Sequence, residues 1–249
     1  MTIQAAHTEQ AAHVVEQLKD LVSGAEHVLF DFDGPICHLF AGHRAHHVAD
    51  SLVEWLEKRG SHVLLTDEER DSGDPHAVLR AVSRLQPGSE LVEALEAELT
   101  REELHATTTA WPTAYADPLI RTWSAIGVGL AIATNNSPRV AEQYLTGRGL
   151  RECFAPHIHG RTTDLHLLKP DPDCVLRALT SLGADPAASL MIGDTPSDLY
   201  AAREAGVRFL GFGRDGHRVE RLHRAGASVT VDSLEPVLDA VRCVGRGRI

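Results

Sequence analysis

Asp31 and Asp33 stand two residues apart in the segment Phe30-Asp31-Phe32-Asp33-Gly34, directly after the short apolar run His27-Val28-Leu29-Phe30. Two carboxyl groups at this spacing can divide a covalent reaction. One attacks as a nucleophile, and the other gives a proton to the leaving group and then takes one from water. Other polar residues share the setting. Thr134, Asn135 and Asn136 follow the apolar run 128–133, and Gly193, Asp194 and, four residues on, Asp198 follow the run 190–192. Lys169 and Pro170 precede a helical stretch that begins near 172. Brought together, these carboxylates would repel unless a hard cation lay between them. Magnesium suits such a place, because it takes few carboxylates and keeps waters and substrate phosphate oxygens as its other ligands. A lysine offsets the charge of nucleophile and phosphate. A hydroxyl and the N–H groups of a helix start bind phosphoryl oxygens. Each residue therefore has a task in phosphoryl transfer.

The elements that must position them follow from the pattern. Residues 27–30, 128–133, 190–192, 207–212 and 229–231 are apolar runs bounded by turn residues, and they predict buried strands. Residues 8–22, 138–148, 172–182 and 196–205 carry apolar residues at helical spacing. Strand–helix alternation predicts an α/β fold: a Rossmann-like, doubly wound parallel sheet with right-handed crossovers. In such a sheet, ligands bind beyond the carboxyl ends of the strands, where all the residues above are expected. The stretch 39–110 breaks the alternation and reads as helices only. Val48, Leu52 and Trp55 share one face, as do Val78, Val82 and Leu85, and again Leu91, Leu95 and Leu99; the polar stretch 66–75 separates two of these helices. The expectation is an α/β core of residues 1–38 and 111–249, opening on an N-terminal helix, with residues 39–110 inserted as an α-helical cap.

Composition limits the partners. The 249 residues are 43% hydrophobic and 24% charged, with a formal net charge of -11. That balance gives no long-range attraction to nucleic acid or to an anionic membrane. A phosphorylated substrate has to find local positive potential instead. The basic tail of Arg242, Arg246 and Arg248 reads as a solvated terminus. Residues 1–20 show no apolar signal segment, and no run has the length of a membrane span. Cys37, Cys153, Cys174 and Cys243 form no paired spacing, so a cytoplasmic location is expected.

Taken together, Asp31-Phe32-Asp33-Gly34, Ala133-Thr134-Asn135, Lys169-Pro170 and Gly193-Asp194-Thr195-Pro196-Ser197-Asp198 resemble the four motifs of the haloacid dehalogenase-like hydrolase superfamily, in its order. The long helical stretch between the first two motifs resembles the branch with a helical cap there, the phosphoglycolate phosphatase-like members. The resemblance implies a Mg2+-dependent phosphatase acting on a small phosphorylated metabolite. Asp31 would be nucleophile and metal ligand. Asp33 would be acid/base and would lend its main-chain carbonyl to the metal. Thr134, Asn135 and Lys169 would hold the phosphoryl group, with Asp194 and Asp198 completing the metal site.

Several residues have alternative readings. Thr195 to Asp198 is also a capping box, and Ser137-Pro138 a helix start. His38, His43, His46 and His47 invite a transition-metal reading, but no carboxylate or cysteine completes the set nearby. His43 or Arg44 is instead expected to face the active site from the start of the cap. Cys37 reads as a core residue. Proline at 35, where the family usually carries Thr or Val, removes a backbone donor and stiffens the turn after the nucleophile. Among other chemistries, a sugar-phosphate mutase would use the same residues. A 2-haloacid dehalogenase would lack Asp33. Phosphonate cleavage would need a cap lysine, for which only Lys58 is available. A receiver domain would be shorter, and a non-catalytic binding module would have lost one of the charged residues. The sequence assigns neither a particular substrate nor an oligomeric state.

Overall fold

The computed structural model describes residues 16–245. Its strands are β1 (His27–Phe30), β2 (Cys37–His38), β3 (Trp111–Pro112), β4 (Gly129–Ala133), β5 (Ile158–His159), β6 (Ser189–Gly193), β7 (Arg208–Phe212) and β8 (Thr230–Val231). Six of them form one parallel sheet in the order β5-β4-β1-β6-β7-β8. The strand β1 is central, with Phe30 opposite Ile132 of β4 on one side and Ile192 of β6 on the other. The chain builds the sheet outward from β1 in one direction and then returns to build the other half. That reversal leaves a crevice at the end of β1, where Asp31 emerges.

The expected strands all form, within a residue or two of their apolar runs. Such continuous runs suit a sheet covered on both faces. Alternate side chains go to opposite sides. Val28 and Phe30 join one apolar cluster, while Leu29 joins the other. The first face is covered by helix α1 (16–23) and, further along the chain, by Trp123, Tyr144, Phe154 and Val237. The opposite face is covered by residues such as Val175, Leu199 and Leu222. The edge strand β5 was not expected, because two residues carry no readable alternation. The antiparallel pair β2–β3 was also unforeseen; it sets Cys37 opposite Pro112 and His38 opposite Trp111. Of the predicted N-terminal helix, residues 8–15 lie outside the described residues, as do Arg246 and Arg248.

Between β2 and β3 the chain is helical: α2 (Ala45–Glu57), α3 (Asp67–Arg70), α4 (Pro75–Leu85) and α5 (Glu90–Thr107). Val48, Leu52, Val78, Val82, Leu95 and Leu99 close a separate apolar cluster, into which Leu165 and Leu168 also pack. Those two come from the segment after β5, so the insert rests on the core as well as on itself. Leu85 departs from its expected face: it is the last residue of α4 and is 53% exposed. Helix α3 forms inside the polar stretch because Thr66 and Glu69 make a reciprocal capping box. Beyond the insert lie α6 (Ala116–Ala125), α7 (Pro138–Gly147), α8 (Arg151–Phe154), α9 (Asp173–Leu182), α10 (Pro196–Glu204), α11 (Gly216–Ala225) and α12 (Glu235–Gly245). Among the described residues, no helix is long and apolar enough to cross a membrane.

Phe30 anchors the first face. Its ring meets Trp123 at 5.8 Å and Phe154 at 6.0 Å between centroids, both edge-on. Phe154 is fully buried. Phe154→Ala is expected to lower unfolding free energy by about 3–5 kcal/mol in urea titrations, the usual cost of emptying an aromatic site in a core.

Candidate active site

The polar residues at the strand ends converge. Lys169 is buried, and its Nζ lies 2.9 Å from Asp31 Oδ1, 2.9 Å from the Ala133 carbonyl and 2.6 Å from Asp198 Oδ1. Burial disfavours the Lys169 charge, but Asp198 and Asp31 outweigh it and hold the pKa above the ordinary lysine value. Carboxylate oxygens of Asp31, Asp194 and Asp198 lie within 4.8 Å of one another. Burial pushes the Asp31 carboxyl up, with Lys169 opposing and Asp198 adding to the rise. Burial, together with Asp198 and Asp31, raises Asp194 well above the carboxylate range, against Arg218. Such a buried, mutually repelling donor set fits a hard divalent cation.

Local sequence explains the closeness. Gly34 has φ 119, and a Cβ there would lie 2.5 Å from Asp194 Cγ. A Cβ on Gly193 would lie 2.4 Å from Asp198 Cβ. Glycine at these two positions lets Asp31, Asp194 and Asp198 share one rim. Asp198 has two structural tasks. Its Oδ2 accepts from Asp194 N (3.1 Å), Thr195 N (2.9 Å) and Thr195 Oγ1 (2.7 Å), closing the capping box of α10. Its Oδ1 faces Lys169. Arg218 of α11, which the sequence analysis did not single out, donates to Asp194 Oδ2 through Nη1.

Asp33 Oδ1 accepts from Leu39 N at 2.9 Å. Burial lifts its carboxyl to about 6, against that N–H, and the charge of Asp31 adds to the rise. Pro35 costs no hydrogen bond in the turn between them. The N–H groups on either side of it, at Gly34 and Ile36, bond to the carbonyls of Cys37 and Phe32. Thr113 Oγ1 donates to the Gly34 carbonyl at 2.6 Å and pins the turn from β3. Cys37 is buried beneath it.

Thr134 is buried, and its hydroxyl donates to Asn136 Oδ1 at 3.2 Å. The Asn135 side chain turns toward Lys169. Its Oδ1 accepts from Lys169 N (2.8 Å) and its Nδ2 donates to Lys169 O (3.2 Å). Ser137 begins α7 by position, but its hydroxyl makes no capping bond. Glu103 of α5 takes that place, accepting from Ser137 N at 3.2 Å and from Asn136 Nδ2 at 2.9 Å. A carboxylate at a helix start also suits the helix dipole. Arg161 binds Glu103 through Nη1 and Nη2 at 3.0 and 3.1 Å, and both side chains are fully buried. Sequence reasoning missed Glu103, although one signal was present: it lies four residues after Leu99 on the apolar stripe of α5.

A cavity of about 1200 Å3 opens between this rim and the insert. Asp31, Asp33, Thr134 and Lys169 line one side, and His76 and Arg80 of α4 line the other. The expectation for His43 and Arg44 is not met, because neither lines the cavity. His43 Nε2 instead lies 2.7 Å from Glu102 Oε2 and its ring lies tilted against that of His105, 4.9 Å between centroids, while Arg44 sits at the start of α2. Phe40 and Ala45, on either side of them in the chain, do line the cavity, and α4 supplies the facing wall. Residue spacing defines an apolar face on α4 but no direction for its polar one.

The sequence profile of the haloacid dehalogenase-like hydrolases matches residues 25–206. The chain belongs to this family. Among haloacid dehalogenase-like relatives, N-acetylmuramic acid 6-phosphate phosphatase of Pseudomonas aeruginosa is 30% identical over 231 residues, 87% of this chain and 96% of that protein. Phosphoglycolate phosphatase of Rhodospirillum rubrum is 30% identical over 194 residues, 72% of this chain and 76% of that one. Two other phosphatase relatives are matched over only 58% and 50% of their own length. The fold is shared with a haloacid dehalogenase-like protein of Streptococcus pneumoniae, at TM-score 0.62 and 18% identity, over 87% of this chain and 98% of that one.

The buried Glu103 makes the fold sensitive to acid. Burial works to raise its pKa, but the charge of Arg161, with hydrogen bonds from His76 and Arg161, holds it down to about 2 from an ordinary 4.5. A carboxyl depressed in the folded state stabilises above its unfolded pKa, and that contribution is lost as pH falls through the folded value. The loss should amount to on the order of 3 kcal/mol between about pH 5 and pH 2. Glu103→Gln is expected to be less stable at neutral pH and to lose less over that interval, measured by urea unfolding at stepped pH.

Proposed function

We propose that this hydrolase is a magnesium-dependent phosphatase that cleaves a small phosphomonoester through an aspartyl-phosphate on Asp31. The observation that carries the reading is the buried contact of Lys169 with Asp31 and Asp198, on the same cavity as Asp33 and Thr134. Lys169 favours the charged form of Asp31 against its burial and holds the carboxylate in place through Oδ1. A carboxylate oxygen of Asp31 attacks phosphorus as the bond to the substrate alcohol breaks, and Asp33 gives its proton to the departing oxygen. Asp33 then takes a proton from water, whose oxygen attacks the same phosphorus, releasing inorganic phosphate and restoring Asp31. Thr134 and Lys169 hold the phosphoryl oxygens, and Asn135 positions Lys169. Asp31, Asp194 and the main-chain carbonyl of Asp33 would hold magnesium, with Asp198 ordering its surroundings. When bound, the ion supplies positive charge against nucleophile and phosphate.

Residues 39–110 form the cap in this reading, covering the cavity and excluding bulk water during turnover. The cap lysine needed for phosphonate cleavage is not supplied: Lys58 is 75% exposed and pairs with Glu54. The substrate is a small phosphorylated metabolite, as the names of the relatives suggest. Four free cysteines suit a reducing compartment such as the cytoplasm.

Phosphate release from p-nitrophenyl phosphate tests this reading. Asp31→Asn should lose at least about a thousandfold in kcat, and EDTA should stop turnover until magnesium is restored. Undiminished release by the variant, or in excess EDTA, would reject the mechanism.

A further inference from the structure

Arg161 is fully buried, yet it lies outside the residues given a chemical task above. Its guanidinium has five N–H groups in a fixed fork. Nε donates to Glu96 Oε1 (3.0 Å), Nη1 to Glu103 Oε1 (3.0 Å) and the Asn135 carbonyl (2.9 Å), and Nη2 to Glu103 Oε2 (3.1 Å) and Thr100 Oγ1 (3.0 Å). Four of these five bonds reach α5 of the insert, and the fifth reaches the loop after β4. His76 Nε2, from α4, lies 3.3 Å from Nη1.

The bonds continue toward the chemistry. Glu103 accepts from Asn136 Nδ2 and Ser137 N. Asn136 accepts the Thr134 hydroxyl, and the Asn135 side chain clasps the main chain of Lys169 on both sides. A continuous set of short contacts thus runs from the insert, through Arg161 and Glu103, to Thr134 and Lys169.

We propose that Arg161 is a positioning residue: it sets Thr134 and Lys169 in register with α5, so that the insert is part of the frame of the phosphate site and not only a cover over it. The proposal rests on the reading of Thr134 and Lys169 as phosphoryl-holding groups. A buried ion pair is a poor way to gain stability, since apolar replacements of similar volume often serve as well. A bidentate guanidinium–carboxylate pair does fix direction and distance, which an apolar contact does not.

That difference supplies the test. The double variant Arg161→Met with Glu103→Leu removes both charges together. The single variant Arg161→Lys keeps the charge but not the fork. Each is compared with wild type for Tm, for kcat and KM on p-nitrophenyl phosphate, for inhibition by inorganic phosphate, and for hydrogen–deuterium exchange over residues 134–137. The double variant should keep a cooperative transition, lose about ten- to hundredfold in kcat/KM, bind inorganic phosphate more weakly, and exchange faster over 134–137. Arg161→Lys should fail to rescue these effects. Near wild-type kcat/KM with unchanged exchange of the loop, in either variant, would overturn the proposal; if the double variant does not fold, Arg161→Lys decides. A wild-type protein that releases no phosphate from any phosphomonoester rejects the reading of function instead, and the exchange of 134–137 in the variants still decides the role of Arg161.

Discussion

The buried ammonium of Lys169 is the contact on which the site depends. Asp31, Asp194 and Asp198 crowd one end of a parallel sheet, away from most solvent, and carboxylates in that position resist ionising together. Lys169 lies between two of them and makes their charge tolerable. Much of the neighbouring structure keeps it there. The Ala133 carbonyl accepts one of its N–H groups, and the Asn135 amide holds its backbone from both sides. Asp198, which caps α10 with one oxygen, presents the other to Lys169. One residue therefore ties a helix start to the charge balance of the site.

Close approach is the second constraint. Acidic segments from β1 and β6 meet because Gly34 leaves room beside Asp194, and Asp198 folds back onto the end of β6 because Gly193 leaves room for it. The turn after Asp31 is held by main-chain bonds that avoid Pro35 and by the hydroxyl of Thr113 across the β2–β3 pair. These are backbone and small-residue devices. They place charged groups without large apolar contacts, in a region where the substrate needs the space.

The insert joins the core in two different ways. Leu165 and Leu168 pack into its apolar cluster, a contact that tolerates sliding and repacking. Arg161 and Glu103 join it through directed, fully buried hydrogen bonds, which do not. Both join it to segments that carry or flank site residues, so the insert and the strand ends form one continuous structure around the cavity.

The sequence by itself determined five of the six strands of the parallel sheet, the core helices α1, α7, α9 and α10, and the residues at the rim. Continuous apolar runs ending in Asp, Thr-Asn or Gly-Asp are local signals, and a parallel sheet with its polar residues at the carboxyl ends of the strands follows from the general rules of α/β folds. A helical insert was legible in the same way, from spacing alone. The tertiary structure decided which insert residues face the site. Spacing assigns an apolar face to α4 but cannot orient the helix over the core, so His76 and Arg80 were found there and His43 was found on Glu102. It also decided the partners of isolated charges. Glu103 and Arg161 are 58 residues apart in sequence, and nothing local links them. Their pairing exists because one buried charge compels another of opposite sign to be brought to it, and only the folded chain shows which.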